Sequence, residues 1–98
     1  MPVVVRTDQV EDDLAGILRD LARKSVTAGR RVVHLIDQKC ARYATMPDLG
    51  ILRDDLAVGL RCFPVWGFLV FYRPIDGGIE VLRILHGSRN IDPSYFVP

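Results

Sequence analysis

The side chains best suited to chemistry sit late in the chain, where Arg83, His86, Ser88 and Arg89 follow one another closely, with Arg61 and Arg73 some way before them. An unperturbed imidazole titrates near pH 6.5 and moves protons at neutral pH. Arginine is permanently charged and grips a carboxylate or phosphate through two parallel hydrogen bonds. Together these groups are the parts of a phosphodiester site, and equally the parts of a surface that recognises an acidic partner. Each also has a structural reading. A histidine at a strand end commonly bonds backbone, Arg73 is placed to pair with Glu80 across a turn, and Tyr95 is either a stacking platform or acid, or simply packed. Cys40 and Cys62 lie outside any CxxC spacing, with only His34 and His86 as companions. That set predicts no structural zinc, and neither a metal nor a cofactor is expected.

A chain of 98 residues is expected to form one domain over 1–98, with a radius of gyration of roughly 13 Å. Its 49% apolar and 26% charged content is that of an ordinary globule. A domain this small buries only about 60–68% of its unfolded surface, so a partner would add stability. The net charge of +1 is far from the strongly basic balance of a protein that holds duplex DNA through phosphates, and no direct specific DNA binding is expected. The distribution is uneven, however. Residues 1–18 carry Arg6 against Asp8, Glu11, Asp12 and Asp13, whereas residues 19–42 carry Arg19, Arg23, Lys24, Arg30, Arg31, Lys39 and Arg42 against Asp20 and Asp37. Such a segment reads as a solvated helix face or as a dock for an acidic partner. No secretory signal opens the chain. The longest apolar stretch, Cys62 to Tyr72, is interrupted by Pro64 and Gly67 and is too short to span a bilayer. A cytoplasmic protein with reduced thiols, and no membrane partner, is expected.

The elements that position these groups follow from periodicity. Val3 to Val5 predicts a strand. Thr7 and Asp8 offer helix-capping oxygens, with Asp8 and Glu11 spaced as a capping box, ahead of a helix from about Asp8 to Lys24 whose apolar stripe is Val10, Leu14, Ile17, Leu18 and Leu21. After a break at 25–29, with Thr27 a candidate cap, a second helix buries Val32, Val33, Ile36, Cys40 and Tyr43 and turns back on the first. Pro47 and Gly50 end it, and 51–59 reads as a loop or a single helical turn around Asp54 and Asp55. Leu60–Val65, Phe68–Arg73 and Ile79–Leu85 are strands separated by turn residues. The prediction is an α+β fold: an N-terminal strand, an antiparallel helical hairpin, then a three-stranded antiparallel meander. Phe68 to Tyr72 is apolar without alternation, so both faces of that strand need cover. The hairpin covers one; the tail or another molecule must close the other.

The succession Leu60-Arg61-Cys62-Phe63-Pro64-Val65, Phe68-Leu69-Val70-Phe71-Tyr72-Arg73 and Ile79 to Asn90, including Leu82-Arg83-Ile84-Leu85-His86-Gly87-Ser88-Arg89-Asn90, resembles the ParE branch of the RelE/ParE toxins of type II toxin–antitoxin modules. Met46-Pro47-Asp48-Leu49-Gly50 is similar to that family's loop between hairpin and sheet. The resemblance covers nearly the whole chain. It implies a growth-arresting protein neutralised by a cognate, ParD-like antitoxin with a DNA-binding segment, in a hetero-oligomeric complex. An antitoxin tail folding along the toxin is expected to meet Leu18, Tyr43, Trp66, Phe71, Tyr95 and Phe96; Trp66, at a turn, is either such an anchor or folded over the sheet edge.

The resemblance also frames the target. RelE-like members cleave mRNA on the ribosome and carry basic groups on successive strands. Here the matching positions hold Arg61, Phe63 and Leu69, with Arg89 after the last strand, so a ribonuclease reading would rest on Arg61, His86 and Arg89 alone. ParE-like members instead poison DNA gyrase without chemistry of their own. This is the leading expectation, with Arg83, His86 and Arg89 as the target-contacting residues and no catalytic ones. The alternatives are a ribosome-dependent mRNA endonuclease and a degenerate toxin that retains only antitoxin binding.

Overall fold

Thr7 begins the first helix: its backbone is extended and its hydroxyl accepts from the Val10 N–H at 3.2 Å, which satisfies one of the helix's unpaired donors. Asp8 is therefore the first helical residue and not the cap. The second helix is capped by Ser25, whose hydroxyl accepts from the Ala28 N–H at 3.1 Å; Thr27, the expected cap, lies inside the helix. In the computed structural model, which describes residues 1–97, the order is β1 (Val3–Arg6), α1 (Asp8–Ala22), α2 (Val26–Thr45), β2 (Ile51–Leu52), β3 (Arg61–Val65), β4 (Phe68–Ile75) and β5 (Gly78–His86). Short 3-10 turns occupy Pro47–Leu49 and Pro93–Phe96. The predicted strand, helical hairpin and meander are all present.

The sheet runs β1-β5-β4-β3-β2, with β1 parallel to β5 and the other pairings antiparallel. Two features go beyond the sequence reading. The supposed loop after Gly50 contains β2, which pairs Ile51 with Cys62 and Leu52 with Arg61; two residues are too few to show strand periodicity. The second feature is the sheet face opposite the hairpin. It is closed by the chain itself, because Leu60, Cys62, Phe71 and Leu85 are buried there with Leu56 beneath Ile91, Tyr95 and Phe96. Of the two covers that the Phe68–Tyr72 run left open for this face, the tail is the one present, Phe96 lying 5.0 Å from Phe71 between ring centroids.

On the other face, α1 and α2 bury Val10, Leu14, Ile17, Val32, Ile36 and Cys40 against Phe63, Val65, Val70, Tyr72, Ile79 and Val81. A β-bulge between Phe71 and Tyr72 lets Leu82 stand without a direct partner on β4, and both sides of the bulge keep their apolar residues inward. Gly78 allows β1 to approach: a Cβ there would fall 1.8 Å from the Val3 carbonyl oxygen.

Tyr72 joins the sheet to the loop after α2. Its ring is fully buried, and its hydroxyl donates to the Pro47 carbonyl at 2.7 Å and accepts from the Gly50 N–H at 2.9 Å. A Cβ on Gly50 would lie 2.3 Å from that hydroxyl, and the ring cannot retreat through Phe63 and Tyr43, which cluster around it. Tyr72→Phe should therefore cost about 1–3 kcal/mol for the polar groups left unpaired, and Gly50→Ala at least as much through steric displacement. Chemical denaturation of both variants checks this.

Burial, helped by the nearby Asp37 charge, pushes the Cys40 thiol up to about 12, and burial raises Cys62 and Tyr72 as well. All three keep their protons in the folded chain at pH values where the unfolded chain releases them. Above the unfolded thiol's pKa the folded state binds more protons, so stability falls as pH rises. Denaturation midpoints should decline between about pH 8.5 and 10.5, with a smaller decline in Cys40→Ala.

Candidate target-contact site

β1 stops at Arg6, opposite Val81, so the outer edge of β5 beyond that point has no neighbouring strand. Groups from the β1–α1 connection take its place. The Thr7 N–H bonds the Val81 carbonyl at 3.3 Å, the Thr7 hydroxyl donates to the Leu82 carbonyl at 3.2 Å, and Asp13 accepts from the Ile84 N–H at 2.9 Å. Arg83 reaches the same carboxylate with Nε at 3.0 Å and Nη2 at 3.1 Å. The two side chains are only 16% and 14% exposed, so this bidentate pair is largely shielded from solvent. Hydrogen bonding to Asp13 holds the Arg83 pKa above its ordinary value.

Past β5 the chain makes a tight turn on the rigid sheet. Gly87 N–H bonds Gly67 O at 2.8 Å and Arg89 N–H bonds His86 O at 3.0 Å. His86 is exposed, edge-on to Phe68 at 5.3 Å. Its Nδ1 accepts from the Ser88 N–H at 3.3 Å and lies 2.8 Å from the Ser88 hydroxyl. Arg89 is exposed, with its guanidinium carbon 6.0 Å from the Tyr95 ring centroid. Among the described residues no carboxylate lies within 4.0 Å of it. Asp92, three residues on, is not within salt-bridge distance of Arg89 and accepts from the Ser94 N–H at 2.8 Å. Beside His86 and Arg89 a groove of about 450 Å³ runs between α1 and the end of β5, with an apolar floor that includes Ile17, Phe68 and Ile84 and with Asp12, Asp13 and Asp20 of α1, and Lys24 just past it, along its wall.

The other candidate residues fall elsewhere. Arg61 stands opposite Tyr72 on the helix-bearing face and donates from Nη1 to the carbonyls of Asp48 and Gly50, both at 2.9 Å. Val65, four residues along β3, is the position level with Phe68 and His86. Arg61 is thus about 13 Å of strand from the His86 end, and the three-residue set Arg61, His86 and Arg89 is not brought together. Arg83 lies opposite Phe71 on the tail face, its guanidinium carbon 5.4 Å from the Tyr95 centroid, and is held by Asp13. Arg73 does pair with Glu80, at 2.7 Å.

Trp66 is 63% exposed at the β3–β4 turn with a φ of 55°, and Gly67 follows at 84°. Two successive positive values make the tight turn that matches strand twist, and the indole does not fold over the sheet edge. Leu18 is exposed on α1, Tyr43 stacks on Phe63 at 4.0 Å on the helix-bearing face, and Tyr95 and Phe96 cover Phe71 on the opposite face. Phe71, with no exposed surface, is unreachable by a partner while the tail is in place. These six residues do not form one continuous surface. Sequence reading missed Asp13, which sits 70 positions from Arg83; no local spacing signals a pair formed across so many residues.

Strand, helical hairpin and meander in this order, with a charged turn beyond the last strand, define an α+β protein of the RelE/ParE type. The same fold occurs in the solved structure of the chromosomal ParDE TA system from P. aeruginosa, with a TM-score of 0.74, 20% identity, and coverage of 88% of this chain and 96% of that one. Residues 4–91 match the family described as ParE toxin of type II toxin-antitoxin system, parDE. Toxin ParE3 of Caulobacter vibrioides is 35% identical over 89 residues, which are 90% of this chain and 89% of that protein. The chain belongs to the ParE toxin family. No helix among the described residues is long and apolar enough to cross a membrane.

The Asp13–Arg83 pair makes a direct prediction. In a double-mutant cycle of Asp13→Ala and Arg83→Ala, the coupling should be about 1.5–3 kcal/mol, the range for hydrogen bonds to charged groups. Asp13→Ala alone should be the costlier change, because it also strips the Ile84 N–H of its acceptor.

Proposed function

We propose that this toxin arrests growth by binding DNA gyrase through the turn after β5, and that a ParD-like antitoxin neutralises it. The observation that carries the reading is the difference between the arginines of the sheet. Arg61, Arg73 and Arg83 are each engaged within the chain. Arg89 projects from the turn with no carboxylate partner among the described residues, next to His86 and the groove. An unpaired guanidinium on a loop held by a stiff scaffold is suited to a carboxylate or phosphate on another molecule. Arg83 supports this site as a strut, fixing the end of β5 against α1.

Antitoxin binding fits the ParDE likeness and the apolar groups still accessible, Leu18, Trp66 and the half-buried Tyr95 and Phe96. Phe71 joins that contact only if the antitoxin lifts the tail. The family's action without chemistry of its own fits a sheet in which Arg61 stands about 13 Å of strand from the end that carries His86 and Arg89. The protein's place in the cytoplasm follows from such a target.

Arg89→Ala is expected to abolish growth arrest while leaving antitoxin affinity and melting temperature unchanged, and Arg89→Lys should not restore arrest, because an ammonium lacks the bidentate fork. Induction of the unaltered toxin should produce double-strand breaks with mRNA intact. Parallel loss of arrest, affinity and stability in Arg89→Ala would make the residue structural. Cleavage of mRNA within codons would replace gyrase with the ribosome.

A further inference from the structure

We infer that the solvent face of α2 is a sequence-independent docking surface for the phosphate backbone of duplex DNA. The inference stands apart from the gyrase reading and uses none of the residues assigned to it. Along α2 the exposed side chains are Thr27, Arg30, Arg31, His34, Gln38, Arg42 and Thr45 together with the apolar Val26 at the first position and the small Ala41, with Arg23 exposed just before the helix. None of the four arginines has a carboxylate within 4.0 Å among the described residues. The one acidic residue of the helix, Asp37, is half-buried and pairs with Arg6 at 3.2 Å. The acidic side chains of the first half of α1 lie on a different element, so the net charge of +1 conceals a dipolar molecule.

The pattern on the helix selects the partner. At about 100° per residue, Arg30 falls on one flank of the exposed arc and Arg31 and Arg42 on the other, with His34 and Gln38 between them. Two cationic flanks around a polar ridge match a helix set against a groove with a phosphate strand on either side. The major groove of B-form DNA is about 12 Å wide and admits an α-helix, whereas that of an A-form RNA duplex is too narrow. With 20 residues, α2 is about 30 Å long, and duplex DNA presents one negative charge for every 1.7 Å or so of its axis. A docked acidic protein segment would need an apolar or aromatic anchor at its centre, and no large hydrophobic side chain is exposed on α2 between Val26 and Met46. Single-stranded nucleic acid is gripped by stacking successive bases on several aromatic rings, and this face offers no Phe, Tyr or Trp and only the single imidazole of His34.

The test is fluorescence anisotropy of the purified chain with a labelled DNA duplex of arbitrary sequence over a series of salt concentrations. Three or four phosphate contacts should give a slope of log affinity against log salt of about −2.7 to −3.6, unchanged when the duplex sequence is scrambled. The triple variant R30Q/R31Q/R42Q should lose nearly all of that slope while keeping the melting temperature and growth arrest. Should the triple variant fold poorly, R31Q and R42Q singly should each reduce the slope by about 1. The inference is overturned by no binding at low salt, by an unchanged slope in the variants, or by equal affinity for an RNA duplex. Displacement of the DNA by a polyglutamate peptide at equal charge would assign the face to an acidic protein segment instead.

Discussion

One carboxylate holds the molecule's two layers in register at the end that carries the candidate site. Asp13, on α1, accepts from the Ile84 backbone N–H and from both accessible nitrogens of Arg83. β1 is too short to run beside the whole of β5, and a bare strand edge is both unsatisfied and prone to pair with other chains. Thr7 and then Asp13 continue the pairing that β1 began. Since Thr7 also caps α1, the same short connection sets the start of the helix, its distance from the sheet, and the protection of the β5 edge. The turn bearing His86 and Arg89 inherits its position from that contact.

The opposite end of the sheet is fixed by different chemistry. Tyr72 bonds the loop at Pro47 and Gly50, and Arg61 bonds the carbonyls of Asp48 and Gly50. Buried backbone groups in an irregular loop need partners, and here two strand residues supply them. This accounts for Arg61, which the resemblance to RelE-like members had singled out together with Arg89. It is a clamp on a loop, and its guanidinium is committed to backbone oxygens. Arg61, Arg73 and Arg83, within the sheet, are engaged by the fold, whereas Arg89, just past β5, has no carboxylate within 4.0 Å among the described residues.

Both sheet faces are closed, the first by the helical hairpin and the second by the tail. The tail's cover is slight compared with the hairpin's, since it consists of a single 3-10 turn whose aromatic rings rest on Phe71 and beside Arg83 and Arg89. Tyr95 therefore links the lid to the candidate site. A partner that moved the tail would change the surroundings of Arg89, which gives one molecular surface a physical route to influence the other.

The α+β architecture was legible in the chain because its cues are local. The helical spacing of Val10, Leu14 and Ile17, the β-branched Val3–Val5, and Trp66-Gly67 and Asp76-Gly77 at the turns each act over a few residues, and the run from Leu60 to Asn90 carried the family likeness. The Arg73–Glu80 pair was legible for the same reason, lying across one turn. What the sequence could not decide is everything formed between distant segments. The parallel pairing of β1 with β5, β2 on the far edge, the tail closing the second face, and the capture of Arg83 by Asp13 all join residues that no periodicity relates. A bulge of one residue at Phe71/Tyr72 shifts the register of β5, and the pleat alternates faces at each step. Which arginines are spent on the fold and which remain free was therefore decided only when the strands met.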